Sequence, residues 1–188
     1  MFTNGFSGTV YQGDTIECEV DGFTVTATIH SDDDTTPPWE RQDGNGPVSD
    51  WRRRDWAGRY EKAPGELMLH EDRNRDARFY DFAEACRMAR RDGWGVAGGK
   101  RDGETARQCA ARAAMADFER LRAWCRDDWQ YVGVVVTVSC NGIKLTDSYL
   151  HALWGIESDA GDYLTETANE FIDDAISDAR ATIASLAA

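Results

Sequence analysis

Residues 15–30 read TIECEV, DG, FTVTATIH, and residues 130–149 read QYVGVVVTVSC, NG, IKLTDSY. In the first stretch Ile16, Cys18 and Val20, then Phe23, Val25, Ala27 and Ile29, alternate with polar residues. That is the period of two of half-buried strands, and Asp21-Gly22 suits the positive-φ positions of a tight hairpin turn. The second stretch repeats the design around Asn141-Gly142, with the run of valines expected of a central strand. Two β-hairpins thus frame the chain, and ALWGIE at 152–157 and ELMLH at 66–70 read as further short strands.

Working outward, Phe79, Phe82, Ala83, Cys86 and Ala89 share one helical face and predict a helix over 76–91, stopped by Asp92-Gly93. Ala106, Cys109, Ala110, Ala113, Phe118, Leu121 and Trp124 predict a longer one over about 104–127. Leu164, Ala168, Phe171, Ile172, Ala175, Ala179 and Ile183 predict a last one over about 160–186. The expected fold is α+β, antiparallel strands with about three helices packed on one side. The chain reads as a single compact domain over 1–188. Residues 32–50, DDDTTPPWERQDGNGPVSD, have no period and read as part of a long acidic loop at 31–50, with Trp39 arguing for some packing.

Charge is sorted along the chain. Residues 1–50 carry ten acids and a single base, Arg41, a net of −9; residues 51–126 carry eighteen bases and thirteen acids, a net of +5. Residues 127–188 carry eleven acids against Lys144 and Arg180, again −9. A surface that repels or imitates nucleic acid would produce this segregation, whereas an ordinary solvated surface does not need it.

No apolar run approaches the ~20 residues of a membrane span, and the N-terminus, MFTNGFSGTV, lacks the charged and apolar regions of a signal peptide. A cytoplasmic protein is expected. Cys18, Cys86, Cys109, Cys125 and Cys140 lie far apart, as do His30, His70 and His151, so reduced thiols fit better than a disulfide framework or a structural zinc site. No cofactor or metal is expected. GWGVAGGK at 93–100 lacks the spacing and the Ser or Thr of a phosphate loop. His70 with Glu71 and Asp72, and Glu157 with Asp159 and Asp162, are the nearest approach to a catalytic or metal-binding cluster, although helix capping is the commoner use of such acids.

Asp162, Glu166, Glu170, Asp173, Asp174 and Asp178 recur every three or four residues on the polar face of the last helix. At 1.5 Å per residue this is a row of carboxylates ~6 Å apart, close to the spacing of phosphates along a strand. Taken alone the row reads as a solvated face; Asp32, Asp33 and Asp34 point the same way and favour mimicry. The middle block interleaves Trp51 and Trp56 with Arg52, Arg53, Arg54 and Arg59, a pattern of single-strand binders. Pairing of those arginines with the acidic ends is the more economical use.

The segments DGFTVTATI, PPWERQDGNGPVSDW, RFYDFAEACRMARRDGWG, WQYVGVVVTV and LWGIESDAGDYL resemble a family of small, function-unassigned proteins of bacteriophages, prophages and mobile elements of proteobacteria. The resemblance implies a counter-defence role, of the anti-CRISPR or anti-restriction kind, and supplies no catalytic residues to carry over. The expected function is therefore non-enzymatic: occlusion of the nucleic-acid site of a host defence protein or ribonucleoprotein with a basic surface. Asp32–Asp34 and the helix carboxylates would supply attraction, and Trp39 and Trp51 specificity, with no direct DNA binding. The alternatives are a nucleic-acid-binding accessory protein using the block 51–59, and an enzyme acting on a nucleotide or partner protein.

Overall fold

Both hairpins form in the computed structural model, which describes residues 1–34, 36–95 and 99–187. β1 (Thr15–Val20) and β2 (Phe23–Ser31) pair antiparallel about Asp21 and Gly22, whose φ angles of 52° and 81° match the turn read from the sequence. α1 is a single turn (Pro38–Arg41), and β3 (Glu66–Glu71) pairs antiparallel with β4 (Ala77–Asp81). Then come α2 (Phe82–Asp92), α3 (Ala106–Trp124), β5 (Tyr131–Cys140), β6 (Ile143–Lys144), β7 (His151–Glu157), α4 (Asp162–Glu170) and α5 (Ile172–Leu186). The fold is α+β, with one five-stranded and one two-stranded antiparallel sheet. Val96 to Gly98 of the glycine-rich connection lie outside the described residues.

Three expectations change. Residues 77–81 are a strand, because ARFYD pairs with ELMLHE and buries Phe79 and Tyr80; the helix starts only at Phe82, where the Asp81 side chain accepts from Glu84 N–H. The last helix is two, parted at Phe171. The stretch 31–50 is partly ordered: Ser31 ends β2, α1 follows, and Val48 bridges to Tyr80.

Where the sequence reads as one domain, the structure divides into two compact units: Met1–Thr35 with Trp129–Ala188, and Thr36–Asp128. The apolar residues close into two separate cores. In the first unit the sheet runs β1-β2-β5, with β6 and β7 both on the far edge of β5. The register sets Cys18, Val25 and Val138, and Ile16, Ala27 and Val136, side by side on one face. Leu164, Ala168, Ile172, Ala175, Ile176 and Ala179 of α4 and α5 cover that face, together with Phe2, Phe6 and Val10 of the N-terminal segment. Phe2 N–H donates to Asn169 Oδ1 and Phe6 N–H to Thr165 Oγ1, both 2.8 Å, so this segment is tied to α4. On the opposite face Trp154 lies over Gly133, where any β-carbon would collide with the indole.

In the second unit α2 and α3 pack with the β3–β4 hairpin around Leu69, Tyr80, Ala85, Ala114, Phe118 and Leu121. A capping box at Thr105 and Gln108 starts α3, and a left-handed Gly93 ends α2.

Candidate functional site

The charge blocks of the sequence resolve onto the units. The first unit holds sixteen acids against Lys144 and Arg180, a net of −14; the second holds nineteen bases and eighteen acids, a net of +1. Pairing of β2 with β5 makes this possible, because it joins segments about a hundred residues apart.

Asp32, Asp33 and Asp34 follow the end of β2, where Ser31 pairs with Val132. Tyr131 pairs with Glu157, and the chain then turns at Ala160 into α4, so Asp162 begins its row at the same end of the sheet. Asp162, Glu166, Glu170, Asp173, Asp174 and Asp178 are all exposed, and the row passes the break at Phe171 without leaving the solvent face. Toward its other end Asp178 Oδ2 lies 3.1 Å from His151 Nε2, and Arg180 pairs with Asp21 at 2.6 Å. Both ends of the chain therefore feed one anionic unit. Asp34 N–H donates to Asp32 Oδ1 (3.0 Å), which folds the triplet into a local turn.

The arginine block takes a different course from the one expected. Arg52 grips Glu66 with two bonds of 2.8 Å, Arg54 binds Glu71 at 2.6 Å, Arg59 reaches Asp55 at 3.3 Å, and Arg53 lies 3.6 Å from Asp76. These acids belong to the block itself, because the β3–β4 hairpin brings them alongside residues 52–54. The Arg52 guanidinium holds the Glu66 carboxyl below the usual carboxylate range, and Tyr60 and Arg54 do the same for Glu71. Arg112 with Arg101 N–H holds Glu104 at about 2. Trp56 takes no part in these contacts and is 97% exposed, and Arg53, despite its approach to Asp76, is 89% exposed.

Trp39 and Trp51, expected to confer specificity, are brought together in the second unit. With Pro37, His70, Arg78, Trp124, Cys125 and Asp127 they line a cavity of about 260 Å³. Trp39 meets Trp124 edge to face with centroids 5.5 Å apart, and Trp51 meets His70 in the same way at 5.5 Å. The Arg78 guanidinium lies between Trp39 and Trp51, 5.5 and 4.9 Å from their centroids, within cation–π range. Sequence reading missed Arg78 and Trp124 here, since both looked like ordinary helix-face residues. It had grouped His70 with Glu71 and Asp72, but alternation along β3 sends His70 to Trp51 and Glu71 to Arg54 and Tyr60. Asp72 caps its own turn by accepting from Asp76 N–H.

All five cysteines are free thiols, and among the described residues no group of three His, Cys, Asp or Glu is placed to hold a metal. Burial pushes the Cys86 thiol up and the Cys125 thiol to about 11, so both stay protonated and poorly nucleophilic at neutral pH. The melting temperature is therefore expected to be unchanged by dithiothreitol or EDTA. A drop of several degrees with either reagent, read by circular dichroism, would reveal a disulfide or a metal. No helix among the described residues is long and apolar enough to cross a membrane. No family model, curated protein or solved structure matches the chain.

Proposed function

We propose that the chain is a non-enzymatic, anionic interaction protein whose first unit occupies the nucleic-acid site of a basic host protein or ribonucleoprotein. This is the counter-defence role implied by its resemblance to phage and mobile-element proteins. The observation that carries the reading is the net charge of −14 on one compact unit, with a six-carboxylate row along α4 and α5. Like charges at i, i+4 cost a helix a few tenths of a kcal/mol per pair, which an inert face has no need to bear. Basic nucleic-acid channels attract such a surface at long range and repel cationic ones.

The block 51–59 favours a second reading, nucleic-acid binding, through exposed Trp56 beside Arg53. Against it, Arg52, Arg54 and Arg59 are already engaged by carboxylates. One pair of measurements tests both. The protein is expected not to bind duplex or single-stranded DNA at ~0.15 M salt, where affinity depends on cation–phosphate contacts. Host proteins retained on the immobilised chain from nuclease-treated lysate are expected to be nucleic-acid binders that single-stranded DNA displaces. Micromolar DNA binding that weakens steeply with salt supports the second reading instead.

A further inference from the structure

We infer that the tryptophan-walled cavity of the second unit is a binding site for a guanine-type base, presented by a free mononucleotide. The inference is independent of the anionic surface and begins at Arg78. Its side chain is only 19% exposed, yet among the described residues it makes no hydrogen bond: Glu40, the carboxylate it faces, is 3.6 Å from the guanidinium. Its neighbours in the same unit behave differently: Arg52, Arg54 and Arg112 each bond a carboxylate at 2.6–2.9 Å. Leaving a buried polar group unsatisfied is costly, and native structures rarely do so without cause. A ligand with acceptor atoms would supply partners for the terminal nitrogens of this guanidinium, which lines the cavity.

The walls define the rest of the ligand. Trp39, Trp51 and Trp124 line the cavity with aromatic surface, which suits a planar ring. A cation would also suit three indoles, but Arg78 already fills the position between Trp39 and Trp51, and a second cation would be repelled. Asp127, an exposed residue of the cavity lining, contributes an acceptor. The ring must therefore carry adjacent acceptors on one edge and donors on another. Guanine does so: O6 and N7 are the usual bidentate target of an arginine, and N1–H and N2–H are left for a carboxylate. Adenine sets a donor beside N7, and the pyrimidines offer less stacking area.

At about 260 Å³ the cavity falls just below the roughly 300–1,000 Å³ of drug-sized ligand sites, so it holds a base and leaves sugar and phosphate outside. The unit that holds the cavity carries a net charge of only +1, too little to hold the many phosphates of a strand, which favours the mononucleotide.

The test is titration of the full chain with GMP, AMP, CMP and UMP, and in a separate arm a G-containing single-stranded hexanucleotide, by calorimetry and tryptophan quenching. GMP is expected to bind saturably and at least about tenfold more tightly than the other three. Trp51→Ala changes a residue 43% exposed and should weaken GMP roughly tenfold or more with the circular dichroism unchanged. Asp127→Asn should narrow the preference for GMP over AMP. No saturable GMP binding up to about 5 mM, equal binding of all four nucleotides, or GMP binding indifferent to both substitutions would overturn the proposal. Tighter binding of the hexanucleotide than of GMP would overturn the mononucleotide as the source.

Discussion

With Glu166, Glu170, Asp173 and Asp174 all changed to lysine, the protein is expected to fold as before and to lose its hold on a basic partner. The four side chains are exposed, so no core contact is broken. Two opposing local effects nearly cancel. Asp173 and Asp174 stand in the first turn of α5, where lysines would meet the positive helix end at a cost of about 0.3–1 kcal/mol each. Removing carboxylate pairs at i, i+4 and adding cations among the remaining acids returns a few tenths per pair. Stability should thus change by about 1–2 kcal/mol at most. Binding should change far more, because eight units of charge reverse on the surface that faces the partner. Association slows, and the salt dependence of capture flattens. If the variant folds and retains the same host proteins as the parent, the row on α4 and α5 is only a solvated face.

The hairpins were legible because their information is local: Asp21-Gly22 and Asn141-Gly142 fix the turns, and strict alternation fixes the faces. Residues 77–81 were not, since Phe79, Phe82, Ala83 and Cys86 satisfy a helical period and only pairing with β3 decides otherwise. The break at Phe171 leaves no mark in composition, and its dihedrals of −85° and −11° stay close to helical. The excess of acid at both chain ends was plain; its convergence on one unit depends on β2 lying beside β5, which no local pattern states. The site divides in the same way. Trp39 and Trp51 stood out as aromatics in polar surroundings, whereas Arg78 acquires its place between them from the register of β4 with β3, and Trp124 from the length of α3. Arg52 and Arg54 were expected to seek the distant acidic ends, but strand pairing set Glu66 and Glu71 within reach first.

Tyr80→Phe is expected to destabilise the protein by about 1–3 kcal/mol at pH 7 and by less as falling pH protonates Asp117. The Tyr80 ring is fully buried, and its hydroxyl donates to Asp117 Oδ2 at 2.7 Å and approaches the Ala114 carbonyl at 3.0 Å. The same Asp117 oxygen accepts from Gly46 N–H at 2.7 Å, and a β-carbon at residue 46 would lie within 2.6 Å of the Tyr80 ring, so the three residues form one close-packed unit. Burial raises the Asp117 carboxyl above its ordinary value, while the bonds from Tyr80 and Gly46 pull it back. Folding with Asp117 ionised therefore carries a cost above the unfolded pKa of about 3.9, relieved as pH falls through the higher folded value. Removing the hydroxyl deprives the carboxylate of one of two donors and raises its pKa further, so the variant takes up its proton at a higher pH than the parent. The penalty is full when Asp117 is charged and shrinks when it protonates. Urea unfolding at pH 7 and at a series of lower pH values measures this, and in the double variant with Asp117→Asn this pH dependence should vanish because no carboxyl remains to titrate there. An equal loss for Tyr80→Phe at every pH in the series would mean that Asp117 does not change its charge beside the ring, and that the bond acts only as a neutral contact between β4 and α3.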